Sequence, residues 1–291
     1  MSFNFDYRKP KIIAEIGCNH MGQMDIAKEL IDLAKQSGVK YVKFQKRNNK
    51  ELLSEEQYNA PHPNPVNSYG DSYGAHRDYL EFDVEQNKEL MRYCNSVDME
   101  YSTSVWDVSS AREMISFKPN FLKVPSACNH NFNMLKVLRD EFKGQVQLSI
   151  GMTTKSEVEK VVKFFEENNQ AKNRLLIYSC TSGYPVPAKD VALLELNWLY
   201  ENYSKRVNEI GFSGHHLGVG LDIAAYTLGA RWIERHFTKD KSWKGTDHCA
   251  SLDASELKML VTGLNEAFHA LNYKENEILP IEQVQRDKLK L

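Results

Sequence analysis

The sequence predicts a single-domain α/β protein, a (β/α)8 TIM barrel spanning residues 1–291. Three observations point there. Short apolar runs alternate with longer stretches of helical period from one end of the chain to the other. Eight such pairs can be counted, the number that closes a parallel sheet on itself. No GxGxxG string follows the first strand, as a doubly wound dinucleotide-binding sheet would call for.

The elements follow in order. KIIAEIG (11–17) reads as the first strand, and Ile26, Leu30, Leu33 and Ala34 then share one helical face until Ser37-Gly38 stops the helix. YVKFQ (41–45) is the second strand. The connection after it, residues 46–78, is rich in Asn, Pro, Ser, Tyr and Gly; a loop of that length in a compact domain is usually a lid or a binding loop. EYSTSV (100–105), FLKVPS (121–126), QVQLSIG (145–151), RLLIYSC (174–180), NEIGFSG (208–214) and RWIERHF (231–237) supply the other six strands. The last helix carries Leu257, Leu260, Val261, Leu264 and Phe268 on one face.

Composition narrows the class of function. Lys and Arg number 37 against 39 Asp and Glu, a formal charge of −2, with 42% hydrophobic and 26% charged residues. These values are ordinary for a globular protein and exclude a disordered chain or a collagen-like repeat. Near-neutral charge argues against nucleic acid as a partner. No apolar run approaches the roughly 20 residues that cross a bilayer, and MSFNFDYRKP is not a secretory signal. Five scattered cysteines form neither an even disulfide set nor a CxxC pair. The expectation is a cytoplasmic protein that handles a small molecule.

The informative residues are charges where a barrel strand should be apolar. Glu15, Lys43 and Lys123 interrupt strands one, two and four, and alternation in RWIERHF puts Trp232, Glu234 and His236 on one side, Ile233, Arg235 and Phe237 on the other. Gln45, Ser102-Thr103-Ser104, Ser126, Ser149, Ser182, Ser213 and His215 stand near strand C-termini, where barrel enzymes build their sites. Taken singly, a strand Lys is often paired within the wall, a Ser after a strand is often a helix cap, and a His is often a core residue. Convergence on one mouth favours chemistry. Two ammonium groups with several hydroxyls suit a phosphate or a phosphate-plus-carboxylate anion. His215 and His236, on adjacent strands, suit a divalent transition metal, with Asp247 and His248 following in the last loop. A Lewis acid beside an anion cradle implies addition to a carbonyl or transfer of a phosphate. The competing readings are a Schiff-base aldolase with Lys43 or Lys123 as nucleophile and a non-catalytic sugar- or phosphate-binding barrel.

The strings IIAEIGCNHMG, VKFQK, SYGAHRDYLEF, LKVPSACN, CTSGYPVP, GFSGHHLG and IERHFTKDKSWKGTDHCASLD, in that order between residues 11 and 283, resemble the sialic acid synthase (N-acetylneuraminate synthase) family. SGHH, WKGTDH and CTS resemble its animal-type 9-phosphate synthases most. The resemblance implies a transferase that condenses phosphoenolpyruvate with an N-acylated mannosamine-like aldose, free or 6-phosphorylated. The product is a nine-carbon 2-keto-3-deoxy sugar acid; octulosonic or deaminated nonulosonic acid synthases are the alternatives. It implies Lys43, Thr103, Lys123, Ser126, Ser149, Ser182 and Ser213 as phosphoenolpyruvate ligands, with Ser182 where many bacterial members carry Asn. It implies Glu15, Gln45, Tyr184 and Asp247 on the sugar, joined by His76 and Arg77 from the long loop, and Glu15, Lys43, Lys123 and Asp247 as the catalytic set. His215 and His236 match metal ligands, for manganese first, with magnesium, cobalt or iron as alternatives. Family members continue into a small antifreeze-like domain that covers the site of a dimer partner. The chain ends at RDKLKL, so the expectation is a barrel without that domain, working as a homodimer or higher homo-oligomer, with a separate partner as an alternative cover.

Overall fold

The computed structural model describes residues 5–290 apart from residue 168. Eight strands, β1 (Lys11–Gly17), β2 (Tyr41–Lys46), β3 (Glu100–Val105), β4 (Phe121–Val124), β5 (Gln145–Ser149), β6 (Leu175–Cys180), β7 (Glu209–Gly214) and β8 (Trp232–His236), form a closed barrel in sequence order. Every pairing is parallel, including β1 with β8. Helices α1 (Met24–Gln36), α2 (Asn49–Leu52), α3 (Glu55–Asn59), α4 (Tyr73–Leu80), α5 (Val84–Ser96), α6 (Val108–Ile115) and α7 (Phe132–Asp140) cover the first half. In the second half lie α8 (Lys155–Glu166), α9 (Ala171–Arg174), α10 (Glu195–Tyr203), α11 (Gly220–Thr227), α12 (Ala254–Ala270) and α13 (Pro280–Leu289).

Local signals account for most boundaries. Reciprocal capping boxes start α5 (Asp83 with Gln86), α8 (Thr154 with Glu157) and α12 (Asp253 with Glu256), each satisfying orphan N–H groups of a first turn. β4 stops at Val124 because Pro125 has no N–H for the ladder. The long connection is not irregular. It folds into α2, α3, a short 3₁₀ turn over residues 65–67 and α4, with Ser54 and Ser72 as N-caps. The Ser and Asn residues that give it a loop-like composition are in part its helix caps.

Two apolar regions divide the interior. Outward-facing strand residues such as Ala14, Ile16, Val42 and Phe44 pack under the helices. Inside the barrel, Ile13, Phe121, Leu176, Tyr178 and Trp232, with Tyr41, plug the N-terminal half. Above that plug the inward positions turn polar, and there the site begins. Two loops cross its edge. Tyr69 Oη donates to Lys244 O at 2.5 Å and Gly245 N–H to Asn67 Oδ1 at 3.3 Å, tying the lid after β2 to the loop after β8.

Candidate active site

A cavity of about 450 Å³ opens at the C-terminal end of the barrel. Its floor is a buried four-membered charge cluster. Lys43 Nζ lies 2.5 Å from Glu15 Oε2 and 3.8 Å from Glu234 Oε2, and donates to Ser104 Oγ at 2.7 Å. Lys123 Nζ donates to both oxygens of Glu234 at 2.8 and 2.9 Å and sits 4.0 Å above the Tyr178 ring. Ser213 Oγ donates to Glu234 at 2.9 Å, and Gln45 Nε2 to Glu15 at 2.9 Å. Two cations thus face two anions in a place where an unpaired charge would cost several kcal/mol. Burial works to raise the Glu234 carboxyl, but the Lys123 and Lys43 charges win and hold it at about 2; burial and the neighbouring Lys43 lower the Lys123 ammonium.

Glu234 was assigned no role from the sequence, although the strand alternation already placed it on the same face as His236. Barrel closure gives it its place, bringing to it Lys123 from β4 on the opposite wall and Lys43 from β2, two strands away. Of the Ser102-Thr103-Ser104 run the resemblance implies Thr103 as the ligand, and the structure turns Ser104 to the cavity instead. In the β2–β3 register Thr103 pairs with the outward Phe44 and Ser104 with the inward Gln45. Thr103 therefore turns to the helix layer, away from the cavity, and Ser104 takes the inward place beside Lys43.

The hydroxyls cluster on the other wall. Ser126, Ser149, Ser182 and Ser213 all line the cavity. Gly151 N–H donates to Ser126 Oγ at 3.0 Å, and a Cβ on Gly151 would stand 2.5 Å from Ser182 Oγ and 2.8 Å from Ser126 Oγ. A side chain there would fill the space between two hydroxyls, so glycine keeps a small polar cradle open.

His215 and His236 face one another with ring centroids 5.5 Å apart, and the Tyr184 ring packs edge-on to both, at 4.6 and 5.9 Å. His215 Nδ1 lies 3.1 Å from Thr181 O, a carbonyl that can only accept, so Nδ1 carries the proton and Nε2 the lone pair. Burial, helped by His236, pushes His215 down to about 3, which keeps it neutral. His236 Nδ1 is buried without a hydrogen-bond partner. Two neutral-capable imidazoles, one with an orphaned ring nitrogen, fit a cation held partly by the protein and partly by its ligands. Among the described residues no group of three His, Cys, Asp or Glu converges to hold a metal unaided.

Asp247 is half-buried at the cavity edge and accepts from Thr246 Oγ1 at 3.1 Å. Burial tends to raise its carboxyl, but His236 and Arg77 outweigh that and leave it below the usual range. Arg77 reaches the cavity from α4; His76, its neighbour, does not. The His76 ring turns into the lid, accepts Tyr69 N–H at Nδ1 (3.1 Å) and stands 4.3 Å from His62. On a helix two adjacent residues face in different directions, so only one of them can meet the ligand. Arg47, another basic residue of the long connection, also lines the cavity, held against Trp106 (4.0 Å) and Glu81 (2.9 Å).

Paired lysines, a hydroxyl cradle and facing histidines stand at the C-terminal mouth of a parallel barrel, the end where barrel enzymes build their active sites. Comparison with known proteins makes this specific. Residues 30–276 match the NeuB family. The chain is 35% identical over 285 residues to human N-acetylneuraminate-9-phosphate synthase, covering 96% of this chain and 76% of that protein. It is 31% identical over 264 residues to Campylobacter jejuni N,N'-diacetyllegionaminic acid synthase, covering 91% and 78%. The crystal structure of N-acetylneuraminic acid synthetase from Leptospira borgpetersenii, in complex with citrate, superposes with a TM-score of 0.81 at 26% identity, covering 97% of this chain and 93% of that one. The chain belongs to the NeuB family.

Proposed function

We propose that this protein condenses phosphoenolpyruvate with an aldose of the N-acylated mannosamine kind, giving a sialic-acid-like 2-keto-3-deoxy sugar acid and phosphate. The observation that carries the reading is the continuity of one cavity, with the Lys43–Lys123 floor and the serine cradle at one end and His215, His236 and Asp247 at the other. Phosphoenolpyruvate has a phosphate and a carboxylate to be held by ammonium and hydroxyl groups; an acceptor aldehyde has one oxygen to be polarised.

His215 and His236 would hold a divalent cation, manganese in our reading, which when bound would supply Lewis acidity toward the acceptor aldehyde. The chain's own residues do the rest. Lys43 and Lys123 hold the phosphoenolpyruvate charges as they shift from enol ester to tetrahedral adduct, and Ser126, Ser149 and Ser182 donate to its oxygens, joined by Ser213 when its hydroxyl turns from Glu234. Gln45 and Tyr184 orient the sugar so that phosphoenolpyruvate C3 meets the aldehyde carbon, which removes much of the entropic barrier. Water adds at C2, phosphate leaves with C–O cleavage, and C2 becomes the ketone. Asp247 takes the proton from that water: it is ionised and, among the described residues, forms no ion pair with a Lys or Arg, whereas Glu15 is spent on Lys43 and Gln45. A Schiff-base aldolase would need one lysine as a free amine, and each is bonded to a carboxylate. Five free cysteines suit a reducing, cytoplasmic setting. Among the described residues no helix is long and apolar enough to cross a membrane.

The test is formation of keto-acid product from phosphoenolpyruvate and Mn²⁺ across a panel of N-acetylmannosamine, mannose and arabinose, free and phosphorylated. Product that requires both an aldose and the metal, and that a chelator abolishes, is the expected result. Covalent trapping of a keto substrate by borohydride, with chelator-insensitive turnover, would sink the reading in favour of the aldolase.

A further inference from the structure

Four cationic side chains line the cavity: Lys43, Arg47, Arg77 and Lys123. Three are already matched. Lys43 meets Glu15, Lys123 meets Glu234, and Arg47 meets Glu81, all within 3 Å. Among the described residues Arg77 has no carboxylate in salt-bridge range. Its Nε and Nη2 donate to Tyr73 Oη at 3.1 and 2.9 Å, and the guanidinium lies 5.1 Å from the Tyr73 ring centroid. Tyr73 sits one turn earlier on the same helix, so the fork is braced against its own element rather than neutralised. Of the five N–H donors of an arginine, three stay free. Asp247, in the same cavity lining, feels the Arg77 charge, which helps to keep its carboxyl ionised without closing to an ion pair.

We infer that Arg77 is the specificity-determining residue for an acceptor that carries a phosphate monoester on its end remote from the aldehyde. The inference rests on the proposed condensation and names its acceptor class. Arg77, Thr246 and Asp247 line the same cavity as the histidine pair, so an extended aldose with its aldehyde at the histidines can place its remote end at the Arg77 guanidinium. A planar guanidinium with spare donors matches a phosphate dianion in both geometry and charge, while a neutral hydroxyl would leave the cation desolvated and unmatched. The relatives differ on this very point. The human relative's name places a phosphate on position nine of its product, and the legionaminic acid synthase's name places none.

The experiment compares N-acetylmannosamine with its 6-phosphate as acceptors, with phosphoenolpyruvate and Mn²⁺, for the unaltered protein and for R77Q and R77K. The expected result is a kcat/KM for the ester at least about 100-fold above that for the free sugar, the scale of one charge-assisted contact and its matched partner. R77Q should bring that ratio down toward one, chiefly through KM for the ester. R77K, which keeps the charge and loses the fork, should retain an intermediate preference, and it carries the test if R77Q fails to fold. Equal use of both acceptors by the unaltered protein, or an R77Q loss of the same factor on both, overturns the inference while the condensation itself stands. No product from either acceptor overturns the parent reading, and this inference with it.

Discussion

Two buried charge clusters sit back to back across the wall of β8, built from residues adjacent in sequence. On the inner side Glu234 joins Lys123, Lys43 and Glu15. On the outer side Arg235, 1% exposed, pairs with Asp222 of α11, donates to His216 O, and reaches Gly218 O at 2.8 Å. Both are equally hidden from water, and both involve charges that sequence patterning flags as anomalous in a strand. Their surroundings differ. The inner cluster faces a cavity and is closed only by side chains, which can be re-partnered when an anion enters. The outer cluster is closed by the His216 ring, 3.2 Å from both Asp222 and Arg235, and by backbone carbonyls of the turn between β7 and α11. Burial of charge therefore does not by itself mark a functional site. The face of the strand decides, because one face looks into a space that a ligand can fill and the other into a helix that fills it permanently.

Removing Lys123 should break the symmetry most. K123M strips the proposed phosphoenolpyruvate end of the cavity of a cation and leaves Glu234 short of its closest partner. We expect a loss of turnover on the order of 10³-fold, together with about 3–5 kcal/mol of stability by urea titration. The double variant K123M/E234Q should regain most of the stability and none of the activity; recovery of both would show the inner cluster to be as structural as the outer.

R235M should do the converse. An uncompensated Asp222 under α11 costs about 3–5 kcal/mol, and adding D222N should restore it, with a loss in kcat/KM far smaller than for Lys123. A chelator-sensitive activity that collapses in the refolded R235M/D222N variant would make the outer cluster part of the site after all.

The comparison sharpens with buried groups that avoid charge. Burial drives His20 down to about 3 and His76 to about 4, and each accepts a backbone N–H at Nδ1, from Gly22 and Tyr69. In the unfolded chain both titrate near the ordinary value of about 6.5. Between those values the unfolded state binds more protons, so stability rises with pH through that window and is lost as pH falls below about 6.5. Urea midpoints should decline steadily from pH 7 to 5, and less steeply in H76N. A midpoint that stays level over that range would contradict the neutral, buried assignment.

The smallest effect separates two faces of one strand. S104A removes a hydrogen bond to a buried ammonium and should lower kcat/KM by roughly tenfold. T103V, one residue away, should leave kcat/KM within about twofold and stability within about 0.5 kcal/mol. A larger loss from T103V than from S104A would reverse the register argument.

Much of this molecule was legible in its chain. The eight strands fall within a residue or two of the apolar runs, because strand formation follows from a local pattern and the closing turns carry their own Gly, Pro and capping signals. Thirteen of the fifteen side chains expected at the site reach the cavity, because strand C-termini converge in any parallel barrel. The exceptions have a common cause. Thr103 and His76 lie next to residues that do face the ligand, Ser104 and Arg77, and motif matching does not resolve one position when the side-chain direction reverses or rotates by a third of a turn at each step. Sequence by itself thus determined the element order, the barrel, and the end of it where charge gathers. The tertiary structure alone decided which charges answer one another. Glu234 and Lys123 are 111 residues apart and meet only when the sheet closes, and where the lid helix settles over the mouth leaves Arg77, among the described residues, with no carboxylate in salt-bridge range. Pairing of charges depends on distance in space, and closure of the barrel is what sets that distance.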